Sequence, residues 1–216
     1  GGDLWNFPKH KFEINKMPKP DIIFFSHGHD DHFHETSIAN FPKTWMNSLV
    51  VTPKFGVEWW EKEVTKKFKN VYFFNHNEKK SFKGVELQIF VNDRGDFDSS
   101  LKISDKHSSV FLQTDNIMSL QEAKRIRKYG NIDFAFLIPF HTGCFPGFYK
   151  MNMKKKIEES KKKNLRAMEY SAKISKNLGA NYTIPYACDM GYLGDKFHLN
   201  LIHSHDKTEY LKVLKK

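Results

Sequence analysis

The residues best able to do chemistry sit together. Ser26-His27-Gly28-His29-Asp30-Asp31-His32 places three histidines and two aspartates within six residues, in a chain with 11 His. The stretch follows the apolar run Asp21-Ile22-Ile23-Phe24-Phe25, whose length and composition predict a buried strand. A strand leading into His27-x-His29 aims both imidazoles the same way, because residues two apart share a face. Asp31 and His32 follow as the chain turns, and they address a second position. Imidazole is a natural ligand for zinc or iron, and carboxylate adds charge and a hard oxygen. Two adjacent ions can share a water, and on zinc the pKa of bound water falls to about 7, which gives hydroxide at neutral pH. Solvated histidines in a surface loop are the bland alternative. The full spacing behind a strand argues against it.

The elements that must position this stretch read as α/β. A short helix is predicted from Glu35 to before Pro42. Strands are predicted at Ser48–Thr52 and Val71–Phe74, with a helix from Gly56 to Phe68 between them. The pattern then shifts to period two. Val85–Val91 alternates behind a turn at Lys83-Gly84, and Ser100–Ser104 and Ser108–Thr114 flank a turn at Asp105-Lys106, an antiparallel section. Ser119, with Glu122 three residues on, predicts a capped helix to about Tyr129. Ile132–Ile138 is a buried strand. Met153–Leu178 is the longest helix, closed by Gly179, with Ile157, Leu165, Met168 and Ala172 on one face. Tyr182–Ile184 is a last strand, and a short helix ends the chain.

His27-x-His29-x-Asp31-His32 resembles the His-x-His-x-Asp-His signature of the metallo-β-lactamase-fold superfamily. The resemblance implies an αββα sandwich with a one- or two-metal site at its edge, here one domain over residues 1–216 that lacks its first strands and is a fragment. Most such proteins hydrolyse esters, thioesters, phosphodiesters or amides. Some hold two irons and do redox chemistry. The resemblance places a bridging aspartate at the end of a later strand, where Val110-Phe111-Leu112-Gln113-Thr114-Asp115 fits; an ordinary turn aspartate is the alternative. It also implies two outer histidines, and here the chain departs. Residues 90–98 hold Asn92, Asp93, Asp96 and Asp98 but no histidine, which leaves Asp93 as a substitute candidate. His107 lies in a turn at the wrong end of its strand. After Ile138, His141 is available as a ligand or substrate contact. His203 and His205 read as solvent-exposed, and Asp30 and His34 as flanking groups.

Weaker segments resemble one branch, that of CMP-N-acetylneuraminate hydroxylase and the bacterial UDP-N-acetylmuramate hydroxylase. They are Gly2-Asp3-Leu4-Trp5, Asp98-Ser99-Ser100-Leu101, the loop His141-Thr142-Gly143-Cys144-Phe145-Pro146-Gly147-Phe148-Tyr149, and Ile184-Pro185-Tyr186-Ala187 with Asn200 downstream. Hydroxylases of this branch carry a Rieske unit, which needs Cys-x-His and Cys-x-x-His. Neither Cys144 nor Cys188 has that context, so a hydroxylase reading requires an electron-donor partner.

Composition bounds the rest. With 39% hydrophobic and 15% aromatic residues, 216 residues support a packed core. No apolar run is long enough for a membrane span. Two cysteines form no disulfide framework and favour a cytoplasmic setting. A net charge of +10 favours a small anionic substrate, with nucleic acid the lesser possibility. The lysines at 154–156 and 161–163 read mainly as a solvated helix face. Phe145, Phe148 and Tyr149 are candidates for a substrate pocket or for core.

The reading is a metal-dependent hydrolase. His27, His29, Asp31, His32 and Asp115 hold one or two divalent ions, zinc or iron. Asp31 and His141 take part in catalysis as a metal-activated water attacks a phosphate-bearing substrate such as a nucleotide sugar or phosphodiester. Two alternatives remain open: an iron-dependent hydroxylase of an amino-sugar nucleotide, and a basic nucleic-acid-binding protein with a vestigial site.

Overall fold

The computed structural model describes residues 13–140, 143–187, 191–202 and 207–215. They fall into two units, Gly1–Ile103 and Ser104–Lys216, taken in turn.

In the first unit the apolar runs form β1 (Ile22–Phe24), β2 (Leu49–Pro53) and β3 (Val71–Phe74), a parallel sheet in that order. Parallel neighbours need crossovers, and these contain α1 (Glu35–Ala39) and α2 (Glu58–Lys67). The α2 helix starts at Glu58 rather than Gly56. Gly56 sits at φ 73°, in the left-handed region, from which a right-handed helix does not propagate. Trp60 and Val64 of α2 pack with Phe25, Phe33, Ile38, Val50 and Phe68. Burying one such side chain contributes roughly 1.5–3 kcal/mol. The Trp60 indole N–H donates to the Pro53 carbonyl at 3.2 Å, so this core leaves no orphan donor there. Next come β4 (Lys79–Phe82), β5 (Val85–Val91) and β6 (Ser99–Ser104), adjacent in that order. The β4–β5 pair is an antiparallel hairpin. Lys83 and Gly84 at its tip have φ of 48° and 86°, and a turn with positive φ at both positions matches the strands' own twist.

In the second unit β7 (Ser109–Leu112), β8 (Ile132–Leu137) and β9 (Ala180–Pro185) are parallel neighbours. The crossovers contain α3 (Leu120–Arg127) and α4 (Met153–Leu178). As the sequence predicts, Ser119 caps α3, its Oγ accepting from Glu122 N at 3.0 Å. The α4 helix matches its predicted ends. Asn152 Oδ1 accepts from Lys155 N at 2.9 Å, and Gly179 closes the helix at φ 68°. Its buried face departs from expectation, because Leu165 is 45% exposed. The buried stripe includes Ser160, Ala167, Ser171 and Ser175. Each serine hydroxyl is partnered: Ser160 donates to the Ile202 carbonyl, Ser171 pairs with Tyr210 Oη at 2.8 Å, and Ser175 pairs with Thr183. Bonded hydroxyls can be buried, so a search for large apolar side chains misplaces this face. The last helix, α5 (Lys207–Leu214), seats Tyr210 on Phe140 and Met168. Burial pushes the Tyr210 phenol up to about 12.

No helix among the described residues is long and apolar enough to cross a membrane.

Candidate metal centre

The end of β1 is fastened by buried hydroxyls. Phe25 N donates to the Val51 carbonyl at 3.2 Å. Thr52 Oγ1 donates to the Phe25 carbonyl at 2.9 Å, and Ser99 Oγ donates to the Ser26 carbonyl at 2.8 Å. A buried carbonyl left without such a partner costs about 1–3 kcal/mol, so these bonds fix the backbone that leads into His27. Past His29 the chain closes on itself: His32 N and Phe33 N both donate to the His29 carbonyl, at 2.9 and 2.8 Å. Gly28 is closely packed. A Cβ built there would lie 2.8 Å from the Trp59 ring and 3.1 Å from the Trp60 ring, and Trp60 is fully buried.

This backbone makes two donor pairs. His27 is buried, and its Nε2 faces Nδ1 of exposed His29 at 2.9 Å. His32 Nε2 lies 3.9 Å from Asp31 Oδ2. The His27 and His32 rings are 4.2 Å apart between centroids, so the pairs are neighbours. Nitrogen with nitrogen, and nitrogen with a carboxylate, are donor sets that suit zinc or iron. Asp98 adds an observation that favours a cation. It is 9% exposed, its Oδ1 lies 2.9 Å from His27 Nδ1, and the approach is too oblique to count as a hydrogen bond. A carboxylate oxygen buried this way is stable beside positive charge, and an imidazole bearing a metal ion on its other nitrogen provides that.

Asp98 is not in the site that the sequence predicts, although it lies in the stretch where the resemblance implies an outer histidine. Its loop is organised by Asn92. Asn92 N donates to the Asp98 carbonyl at 2.8 Å, and Asn92 Oδ1 accepts from Arg94 N at 2.6 Å. Asp93 and Asp96 on the same loop are exposed. His34, read as a flanking group, caps α1: its Nδ1 accepts from Ser37 N at 3.3 Å. His107 is an exposed turn residue.

Asp115 belongs to the second unit. The β7 strand stops at Leu112, short of the predicted Thr114, because Thr114 takes φ 54°. Buried Gln113 clamps the loop that follows. Its Nε2 donates to the Asn116 carbonyl at 3.1 Å, and its Oε1 accepts from Ile138 N at 2.9 Å. Asp115 is therefore a half-buried residue on a braced loop at the strand's end. His141, His203 and His205 lie outside the described residues.

On the loop at 143–150, Phe148 and Tyr149 are 60% and 53% exposed, so neither is core. Two of the α4 lysines are not solvated face residues. Lys156 Nζ donates to the Gly147 carbonyl at 2.6 Å and Lys163 Nζ to the Phe145 carbonyl at 3.1 Å. Burial pulls the Lys163 ammonium below the usual lysine value. Lys154, Lys155, Lys161 and Lys162 are exposed, as expected.

No protein-family model and no curated protein matches the sequence. Solved structures do. CmlA, a diiron β-hydroxylase from Streptomyces venezuelae, aligns with a TM-score of 0.59 at 13% identity, over 97% of this chain and 42% of CmlA. The metallo-β-lactamase fold protein YhfI from Bacillus subtilis aligns at 0.53 and 15% identity, over 89% of this chain and 70% of YhfI. Igni18, a metallo hydrolase from Ignicoccus hospitalis, aligns at 0.52 and 15% identity, over 91% of this chain and 72% of Igni18. The chain thus spans about two fifths of the length of CmlA. Identities this low speak to the fold alone, and the fold is that of the metallo-β-lactamases.

Proposed function

We propose that this chain is a metal-dependent hydrolase acting on an anionic, phosphate-bearing substrate. The observation that carries the reading is the pair of imidazoles, His27 Nε2 and His29 Nδ1, turned toward each other at 2.9 Å on a backbone fixed by buried bonds. Asp31 and His32 make the second pair. Asp115, on its braced loop, is proposed as a further metal ligand, as the resemblance of the motif implies. Bound there, a divalent ion supplies Lewis acidity and lowers the pKa of a bound water. Asp31 is half exposed and is suited to orient the attacking water and take its proton at Oδ2. His141 is proposed as the group contacting the substrate. The net charge of +10 supports an anionic substrate.

A second reading is iron-dependent hydroxylation of an amino-sugar nucleotide, with electrons from a separate donor. The likeness to a diiron hydroxylase over 97% of this chain supports it, as does a carboxylate, Asp98, in the stretch that lacks the outer histidine. The test is turnover of bis(p-nitrophenyl) phosphate and p-nitrophenyl acetate by the zinc-loaded protein. Turnover abolished by a chelator and restored by zinc supports the hydrolase. No turnover with zinc, together with iron-dependent dioxygen consumption in the presence of a reductant and an amino-sugar nucleotide, supports the hydroxylase.

A further inference from the structure

His27 and His32 each have a forward nitrogen and a rear one. The forward nitrogens are the Nε2 atoms, facing His29 Nδ1 at 2.9 Å and Asp31 Oδ2 at 3.9 Å. The rear nitrogens converge on one hydroxyl. Ser26 Oγ is 3.0 Å from His27 Nδ1 and 3.5 Å from His32 Nδ1. Asp98 Oδ1 is 2.9 Å from His27 Nδ1 as well. We propose that Ser26, bonded to both rings, and Asp98, through its negative charge beside His27 Nδ1, are positioning residues that favour the Nδ1–H tautomer, turning both Nε2 lone pairs toward the ion positions. The proposal rests on the reading of residues 27–32 as ligands.

The chemistry is a question of where one proton sits. A neutral imidazole carries a single N–H, and the partner of one nitrogen decides the state of the other. An ionised carboxylate accepts and does not donate. A lone pair on His27 Nδ1 would face the buried Asp98 oxygen across 2.9 Å, so the proton belongs on Nδ1 and the lone pair on Nε2. Ser26 is 4% exposed and touches both rings. In the proposed state its oxygen accepts from His27 Nδ1–H at 3.0 Å and from His32 Nδ1–H at 3.5 Å. Partners on the far side of a ligating imidazole fix its orientation and raise its basicity. The two residues differ in reach. Asp98 acts on His27 alone, whereas Ser26 joins the two donor pairs through one oxygen.

The experiment has two readouts. The first is the tautomer of His27 and His32 in metal-free, 15N-histidine-labelled protein at about pH 8.5, above the ordinary imidazole range, read from two-bond proton–nitrogen couplings. The second is zinc affinity by calorimetry. The wild type is expected to show Nδ1–H at both residues. Ser26→Ala should move both toward Nε2–H and lower zinc affinity at both positions by about 10- to 100-fold. Asp98→Asn should do so at the His27–His29 position only. Ser26→Thr, which keeps the hydroxyl, should restore both readouts. The bond from Ser99 Oγ goes to the Ser26 carbonyl and survives the alanine change, so a folding defect is not expected. Nε2–H in the wild type, or variants with wild-type tautomers and affinity, would overturn the proposal. Wild-type protein with Nδ1–H at both residues that binds no zinc would support the tautomer lock while overturning the ligand reading.

Discussion

The loop after β1 and the loop at 143–150 are held by opposite chemistries. The first is fixed by short hydroxyl groups, Thr52 and Ser99, bonded to the carbonyls of Phe25 and Ser26 in buried surroundings. The second is held by long lysine side chains, Lys156 and Lys163, reaching from α4 to the carbonyls of Gly147 and Phe145. A threonine or serine hydroxyl has one rotor, so its bond fixes the backbone closely. A lysine has four and tolerates displacement. The first arrangement suits metal ligands, which need positions held within a fraction of an ångström. The second holds a loop whose Phe148 and Tyr149 are exposed. Short tethers stand where the proposed donor atoms are, and long ones where aromatic rings meet solvent.

Three changes break or sharpen that contrast. The largest effect is expected at Gly28. Gly28→Val places a branched side chain against the Trp59 and Trp60 rings, an overpacking that typically costs about 1–3 kcal/mol. The urea midpoint should drop and zinc binding weaken together. A variant that loses neither would show that the rings yield and that the loop is not rigid. Next is Ser99→Ala, which leaves the buried Ser26 carbonyl without its hydroxyl partner. It should destabilise the protein by about 1–3 kcal/mol and lower zinc affinity; unchanged affinity would separate the anchor from the site. The smallest effect is expected from Lys163→Met in the other loop, below about 1 kcal/mol, because the stem still packs.

Lys163 also gives the contrast a pH signature. Burial lowers its folded-state value below the unfolded one. In the window between that lowered value and the ordinary 10.5, the unfolded chain binds more protons than the folded one, so stability rises with pH. The difference in unfolding free energy between wild type and Lys163→Met should therefore shift in favour of the wild type as pH climbs toward 10.5. A flat difference would mean that the ammonium is solvated and the strap absent.

The sequence spoke clearly where a property is local. The proposed ligands His27, His29, Asp31 and His32 share one short motif. The α4 helix could be bounded because Gly179 closes it, and the hairpin because Lys83-Gly84 makes its tip. It was silent where a contact joins distant residues. Asp98 meets His27 across 71 positions, from loops next to strands of two different sheets. The serine stripe of α4 was hidden because bonded hydroxyls pack as core without looking apolar. The Ser26 hydroxyl lay inside the motif itself, yet its role became visible only from the orientation of two rings.

The most direct test of the central claim is elemental analysis of protein purified without chelator, beside its His29→Ala variant. His29 is exposed, so its removal should leave the fold intact by circular dichroism. The account predicts zinc or iron bound in the wild type at one or two ions per chain, and a sharp fall in His29→Ala with an unchanged spectrum. Equal metal content in the two proteins would contradict the assignment of this loop as the metal centre.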